Sequence, residues 1–536
     1  MILFKIFLSI YSLLFSYYLT GFNSSFGWIL LVANFILVIN SWNFSLSKNK
    51  VLILGILTSV LFVLFMFNKS PLFFNKLVYN FDYHKYNFLI SEISEDPHIP
   101  CINIRADKKQ HLSYYVGIFL PAAWIGNFTQ NFLEKSFIQL VERFFFILGL
   151  MIGFFYSIYI YFSQKIYFSK RQFLVPILFI FSFQLDGIET IIRYGINNSI
   201  TDIEWGQLPL PYFPLRFQSI LSMLFWIPGH LVSAVLYLAA FSLFQKNTTQ
   251  ININFITLIL LVAISFSFFP LISIIFITLA SKKNILFSIL KKSLNYPIHL
   301  FIIINYYMLT LLLYSINFQS IDVFKFIVSK EFTLISLVVS TVLIFLLKKQ
   351  TMNEKKTSGS IENIFQKKSL LFYFEMISFV IVVIGLQISL KNNILILKEK
   401  FFYFLLKEYF FIIILNLLLY IKKSSDFGFV FKLSIGLFIG TLFLKEDFFM
   451  SGMILINLIL TSHIIFELIR QNNFTYYFIY TVLILPSLYF LTREMLVFDN
   501  NSFSIISDLV NDDRFFVEKF SWIFDAYTNK KISCWK

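Results

Sequence analysis

Apolar residues in this chain come in long runs separated by short polar interruptions. The first run, Ile2 to Leu19, carries Lys5 near its start; Phe26 to Ile39 and Val51 to Phe67 follow, with Lys48 and Lys50 between them. A helix needs roughly 20 predominantly apolar residues to cross a hydrocarbon core, so such runs predict membrane spans. No small-residue cleavage site separates the first run from the second, which predicts an uncleaved anchor rather than a signal peptide. After a polar stretch from Asn68 to about His111, the run Leu112 to Ile125 is short and holds Gly117 and Pro121, whereas Phe137 to Tyr161 is a full span. A short run, Phe173 to Leu185, leads into a second polar segment at about Asp186 to Gln218, then the span Ser219 to Phe244 and a long run, Phe255 to Ala280, broken at Phe269-Pro270. Further runs lie at 298–317, 331–347, 370–390, 401–421, 428–444, 452–470 and 474–491. The predicted fold class is all-α: a polytopic transmembrane helical bundle of about 13 to 15 spans, with juxtamembrane helices on its outer face.

The basic residues orient this bundle. Lysines close to span ends mark cytoplasmic loops, so Lys48 and Lys50 predict a cytoplasmic N-terminus and an external stretch from 68 to 111. Lys165, Lys170 and Arg171 follow the span at 137–161 and belong inside, which requires that 112–125 not cross. That segment is therefore predicted to be a juxtamembrane or re-entrant helix at the outer face. A helical hairpin at 255–280 keeps Lys282, Lys283, Lys291 and Lys292 inside as well. The lysine-rich loop 348–369 reads as a cytoplasmic linker between an N-terminal transmembrane block, 1–347, and a C-terminal block, 370–491, followed by an external tail, 492–536. In this scheme Lys391, Lys398 and Lys400 fall outside, against the general trend.

Composition agrees with the pattern. Of 536 residues, 58% are hydrophobic and only 14% charged, where a soluble domain carries about 25% charged residues. The net charge of +15 would suggest nucleic acid in a soluble protein; here it is the cytoplasmic-loop excess, and no nucleic-acid partner is expected. Two cysteines, Cys101 and Cys534, are too few for a disulfide framework or a cysteine metal site. Six histidines form no H-x-x-x-H or H-E-x-x-H pair, which argues against a dedicated zinc site, and no phosphate-binding glycine loop or G-x-S-x-G is present.

Candidate chemistry concentrates in the two polar outer segments. In the first, Asp82 opens a stretch in which Phe81, Phe88, Leu89 and Ile93 share an apolar face, as in an amphipathic helix lying on a membrane. A carboxylate at a helix start is either a catalytic group or an N-cap, and one residue can be both. Arg105, Lys108, Lys109 and His111 precede the segment at 112–125; they read as a solvated basic turn or, for Arg105 and His111, as cations able to hold an anion. In the second segment Asp186, Glu189 and Arg193 fall on one helical face, as an ion-pair network or part of a site. Glu204 beside Trp205 is a carboxylate next to an aromatic plane, suited to a sugar's hydroxyls and ring, although a tryptophan also anchors at a membrane interface. His230 follows Trp226, Pro228 and Gly229 inside a predicted span, where it serves either a site or a structural hydrogen bond.

The sequences "DYHKYNFLISEI" (82–93) and "YYVGIFLPAAWIGN" (114–127) carry a resemblance. An acid opening an external loop, an amphipathic helix, a polar connector and a paired-tyrosine apolar segment resemble the first external loop of the GT-C superfamily of integral-membrane glycosyltransferases. More narrowly, the stretch is similar to a bacterial polytopic membrane family whose loop reads close to D-W-x-K-H-N and then Y-Y-x-G-Y-Y-L-P-A-A-L-V-G-K. Asp82, Lys85 and Asn87 match; Tyr83 stands for the tryptophan and Tyr86 for the histidine, with His84 nearby. "FSFQLDGIE" (181–189), "DIEW" (202–205), "LFWIPGH" (224–230) and "EDFFMS" (446–451) extend the likeness, the last with Ser451 where the pattern has arginine.

The resemblance implies a GT-C-like bundle that moves a sugar from a polyprenyl-phosphate donor to an acceptor at the outer face of a bacterial inner membrane. It makes Asp82 the general base or a metal-associated acid, leaving room for a divalent metal ion there. It places Lys85, Asn87, Arg105, His111, Tyr114, Tyr115, Asp186, Glu204, Trp205 and His230 around the substrate. Partners are then the lipid-linked sugar and membrane lipids. A transporter, flippase or polymerase of surface polysaccharide, or a noncatalytic scaffold, would also be basic, aromatic and polytopic. Acids gathered in outer loops and the lack of duplicated halves favour the enzyme.

Overall fold

The computed structural model describes residues 2–22, 24–42, 101–105, 108–111, 116–133, 135–163, 228–246, 250–267 and 293–315, with isolated positions between and beyond them. Within these the protein is a bundle of apolar helices with one two-stranded hairpin. The helices are α1 (Ile2–Phe22), α2 (Ser24–Ser41), α3 (Leu120–Thr129), α4 (Lys135–Ser163), α5 (Pro228–Lys246), α6 (Gln250–Phe266) and α7 (Pro297–Ser315). Among the described residues three stretches are long and apolar enough to cross a membrane: Ile2–Gly21, Ser24–Ser41 and Leu140–Tyr161. The wider count of spans and the division into blocks at 348–369 lie outside the described residues.

Only Asn23 separates α1 from α2, so the two form a tight antiparallel hairpin. They approach closely at Gly27, where an added Cβ would stand 2.5 Å from the Cα of Thr20. Lys5, near the start of α1, reaches the Trp42 carbonyl just past the end of α2. The buried face of α1 carries Ser9, Ser12, Ser16 and Thr20 at helical spacing. Apolar association has little force between helices in lipid, so small side chains and interhelical bonds hold them together. Asn34 of α2 supplies one such bond, donating from Nδ2 to Ser16 Oγ over 2.9 Å.

Aromatic packing fixes how the remaining helices run. The Phe4 ring lies against Tyr156 of α4 and Phe255 of α6, and Tyr11 lies against Phe266 at the end of α6. Tyr17 meets Trp124 of α3. α6 therefore runs parallel to α1, while α4 and α5 run opposite. His299 at the start of α7 bonds Asn254 near the start of α6, and Tyr306 packs on Phe15, so α7 is parallel to α1 too. One end of the bundle thus gathers the close of α1, the start of α2, all of α3 and the starts of α4 and α5. The opposite end gathers Lys5, Trp42, Asn254 and His299.

One local expectation needs correction. The stretch read as a polar connector and basic turn is a β-hairpin: β1 (Cys101–Arg105) pairs antiparallel with β2 (Lys108–His111), in register Cys101 with His111 and Arg105 with Lys108. Its sequence accords with this, because Ile102 and Ile104 recur in period 2 along β1. Of the apolar segment expected at 112–125, residues 112–115 lie outside the described residues; a 3-10 turn at Val116–Ile118 precedes α3, which continues to Thr129. Pro121 accounts for the start, being tolerated in a first turn and not further in. Ten residues of α3 rise about 15 Å, half the thickness of a hydrocarbon core.

Candidate functional site

The end of the bundle that holds α3 is built as a shelf, and glycine makes the shelf close-fitting. A Cβ on Gly117 would lie 2.5 Å from the Ser265 carbonyl oxygen, so the 3-10 turn rests directly on the last turn of α6. Gly126 of α3 faces the carboxylate of Glu142 on α4, whose Oε1 occupies the place a Cβ would need. The Phe119 ring stacks on Phe146 with centroids 5.4 Å apart, joining the start of α3 to α4. Both glycines belong to the motif "YYVGIFLPAAWIGN", and each is required by a neighbour from elsewhere in the chain.

The loop that opens with Asp82 reaches this shelf. Leu89, Ile90, Ile93 and Ser94 are helical and buried within the protein, whereas the apolar face of Leu89 and Ile93 was expected to lie on a membrane. Asn127 of α3 donates from Nδ2 to the Ser94 carbonyl, tying the loop helix to α3. Asp82, Lys85, Asn87, Tyr114, Tyr115, Asp186, Glu204 and Trp205 lie outside the described residues. Arg105 and His111 stand at opposite ends of the hairpin: Cys101 pairs with His111, and four residues of strand, about 13 Å, separate Cys101 from Arg105. The two cations weighed together as anion ligands are thus not adjacent along the backbone.

His230 lies on α5, two residues after Pro228, within the stretch expected to be a span. Its ring is fully buried and its Nδ1 lies 2.7 Å from Ser267 Oγ. Ser233 and Tyr237, three and seven residues on, share its face of α5. The Ser233 hydroxyl is 2.8 Å from the Ala263 carbonyl and 2.7 Å from that of Ser267, and Tyr237 donates to the latter over 3.3 Å. A helix leaves its last carbonyls unpaired, and in an apolar setting each such group is costly. The face His230–Ser233–Tyr237 supplies partners at the end of α6, so His230 belongs to an interhelical knot directly behind the Gly117 turn.

Glu142 and Arg143 were not singled out by the sequence reading, yet both are buried inside the apolar stretch Leu140–Tyr161. The signal was present: adjacent ionisable residues within a predicted span are expensive and face protein or water rather than lipid. Ser233 and Tyr237 were legible too, as polar residues at helical spacing from His230. Among the described residues no group of three His, Cys, Asp or Glu side chains could hold a metal ion.

No protein-family model matches this chain, and neither a curated protein nor a solved structure does.

Proposed function

We propose that the protein is a GT-C-type glycosyltransferase that moves a sugar from a polyprenyl-phosphate donor to an acceptor hydroxyl at the outer face of the membrane. The observation that carries this reading is the loop pattern from Asp82 to Asn127, with its acid, amphipathic helix and paired-tyrosine segment in one continuous stretch. The docking of Ser94 on Asn127, and of α3 on Glu142 and α6, gives that loop a firm seat beside the helix ends. Asp82 takes the acceptor's proton as its oxygen attacks the anomeric carbon; the bond from that carbon to the lipid phosphate breaks, and the phosphate leaves with the electron pair. A cation near the surface stabilises the departing charge, the role proposed for Arg105 or His111.

A second reading, a transporter, flippase or polymerase of lipid-linked sugar or polysaccharide, draws on the buried Glu142 and Arg143 inside a span. They lie seven and eight residues into a helix of 29, toward the α3 end rather than at its middle, which favours chemistry at a surface over a central transport site.

The deciding experiment is Asp82→Asn, with lipid-linked sugar turnover measured in membranes at normal protein abundance. The amide keeps most capping ability but accepts no proton, so transfer should fall by about 10² to 10⁴. Near-normal turnover removes Asp82 as the base. Retained turnover with blocked export in a Glu142→Gln variant would favour the second reading.

A further inference from the structure

The corner between α3 and α4 exposes a group of large apolar side chains. Phe128 is 73% and Phe132 75% exposed, with ring centroids 6.0 Å apart; Trp124, Leu133 and Phe137 extend the patch on either side. A contiguous patch of this kind on a water-facing surface is an association site or a liability. Its position along the chain decides between partners. α4 begins at Lys135 and its apolar stretch at Leu140, so the corner stands about 7 Å beyond the start of that stretch. The interfacial layer between a hydrocarbon core of roughly 30 Å and a bilayer of 40–45 Å is about 5–8 Å thick on each side.

A second element marks the same height. α2 exposes Trp28, Ile29, Val32, Phe35, Ile36 and Ile39, a single stripe of the kind that faces lipid. Trp28 lies near the start of α2, next to Gly27 and its contact with Thr20 of α1, at the end shared with α3. Exposed tryptophan at the limit of an apolar stripe is the signature of a membrane interface.

We infer that the α3–α4 corner is a membrane-inserted elbow: Trp124, Phe128, Phe132, Leu133 and Phe137 sit in the interfacial layer of the bilayer, with lipid as their partner. The elbow sets the height of the Asp82 loop, because Asn127 carries the bond to Ser94 and Gly126 carries the contact to Glu142 one turn away. A headgroup-level substrate would meet the loop at that depth. The inference does not rest on the glycosyltransferase reading, since any membrane-embedded activity would inherit this geometry.

Spin labels test it in the full chain with Cys101→Ser and Cys534→Ser, reconstituted in nanodiscs of phosphatidylethanolamine and phosphatidylglycerol. Phe128→Cys and Phe132→Cys are labelled one at a time, and collision with oxygen is compared with collision with a water-soluble nickel chelate. The expected result is oxygen accessibility several-fold above nickel accessibility at both positions. Nickel accessibility equal to that of a water-exposed label overturns the inference; low accessibility to both reagents also overturns it, by showing a cover of protein. Should either cysteine variant fail to insert, p-benzoylphenylalanine in place of Phe132 provides the second measurement: a phospholipid adduct on irradiation supports the elbow, and adducts with protein alone refute it.

Discussion

The two ends of the bundle are closed by different means. At the α3 end, backbone meets backbone or carboxylate with no side chain between: Gly27 on Thr20, Gly117 on Ser265, Gly126 on Glu142. At the opposite end, single side-chain bonds span the gaps: Lys5 to the Trp42 carbonyl, and His299 Nε2 to Asn254 Oδ1 over 2.6 Å. Among the described residues each end has a buried histidine, but their settings differ. His230 joins a knot with Ser267, Ser233 and Tyr237, whereas His299 makes its bond to Asn254 beside the Tyr296 ring. Close packing leaves few alternative arrangements, so the α3 end is suited to hold a loop at fixed height, and the far end tolerates adjustment.

The sharpest way to break this comparison is to fill the tightest contact. Gly126→Leu puts a side chain where the Glu142 carboxylate lies, and overpacking of this kind costs about 1–3 kcal/mol or more. Thermal unfolding in detergent, followed by size-exclusion, should show the loss. Adding Glu142→Ala should recover part of it, since the obstructing group is gone; the coupling of neighbouring sites runs to about 0.5–3 kcal/mol. Strict additivity of the two substitutions would mean that the contact is not what makes Gly126 necessary.

The next largest effect belongs to His230. His230→Ala leaves Ser267 short of a buried partner and should cost about 1–3 kcal/mol, while His230→Asn, able to bond Ser267, should cost less. His299→Ala should cost no more than His230→Ala, because one bond is lost rather than a shared knot. If His299→Ala proved the more damaging by the same unfolding assay, the contrast between the ends would be reversed.

How much of this was legible depended on whether a signal was local. The first two helices follow from the runs Ile2–Leu19 and Phe26–Ile39, because apolar length and a span are nearly the same statement; the single-residue link at Asn23 was not, since small residues permit a turn without dictating it. The spacing of Leu89 and Ile93 predicted an apolar face lying on a membrane; the structure buries both within the protein instead. The hairpin at 101–111 was missed because its lysines and arginine outweighed two isoleucines in period 2. Glu142 was missed although its signal was present, a carboxylate inside a predicted span; what the sequence does not show is that Gly126 of α3 lies against it, which only the crossing of α3 with α4 reveals. Asp82 and seven companions remain expectations carried by motif, outside the described residues.

The smallest effect tests the far end at its most exposed point. Lys5 donates to the Trp42 carbonyl where water competes for both groups, and a long side chain gives up rotamer freedom to make the bond. Lys5→Met keeps the apolar stem along the helix and removes only the charged head, so the unfolding midpoint should move by less than about 1 kcal/mol equivalent. Orientation should survive as well: Lys48 and Lys50 follow α2 on the same predicted cytoplasmic side, and the bias is set by the sum of nearby basic residues. The check is labelling of an introduced cysteine at Ser47 with an impermeant maleimide, before and after permeabilisation. Continued protection in intact cells, with a small loss of stability, fits a far end closed by replaceable bonds. A loss larger than that of His230→Ala would show instead that the α1–α2 hairpin depends on this one tie, and the close approach at Gly27 would not be what holds it.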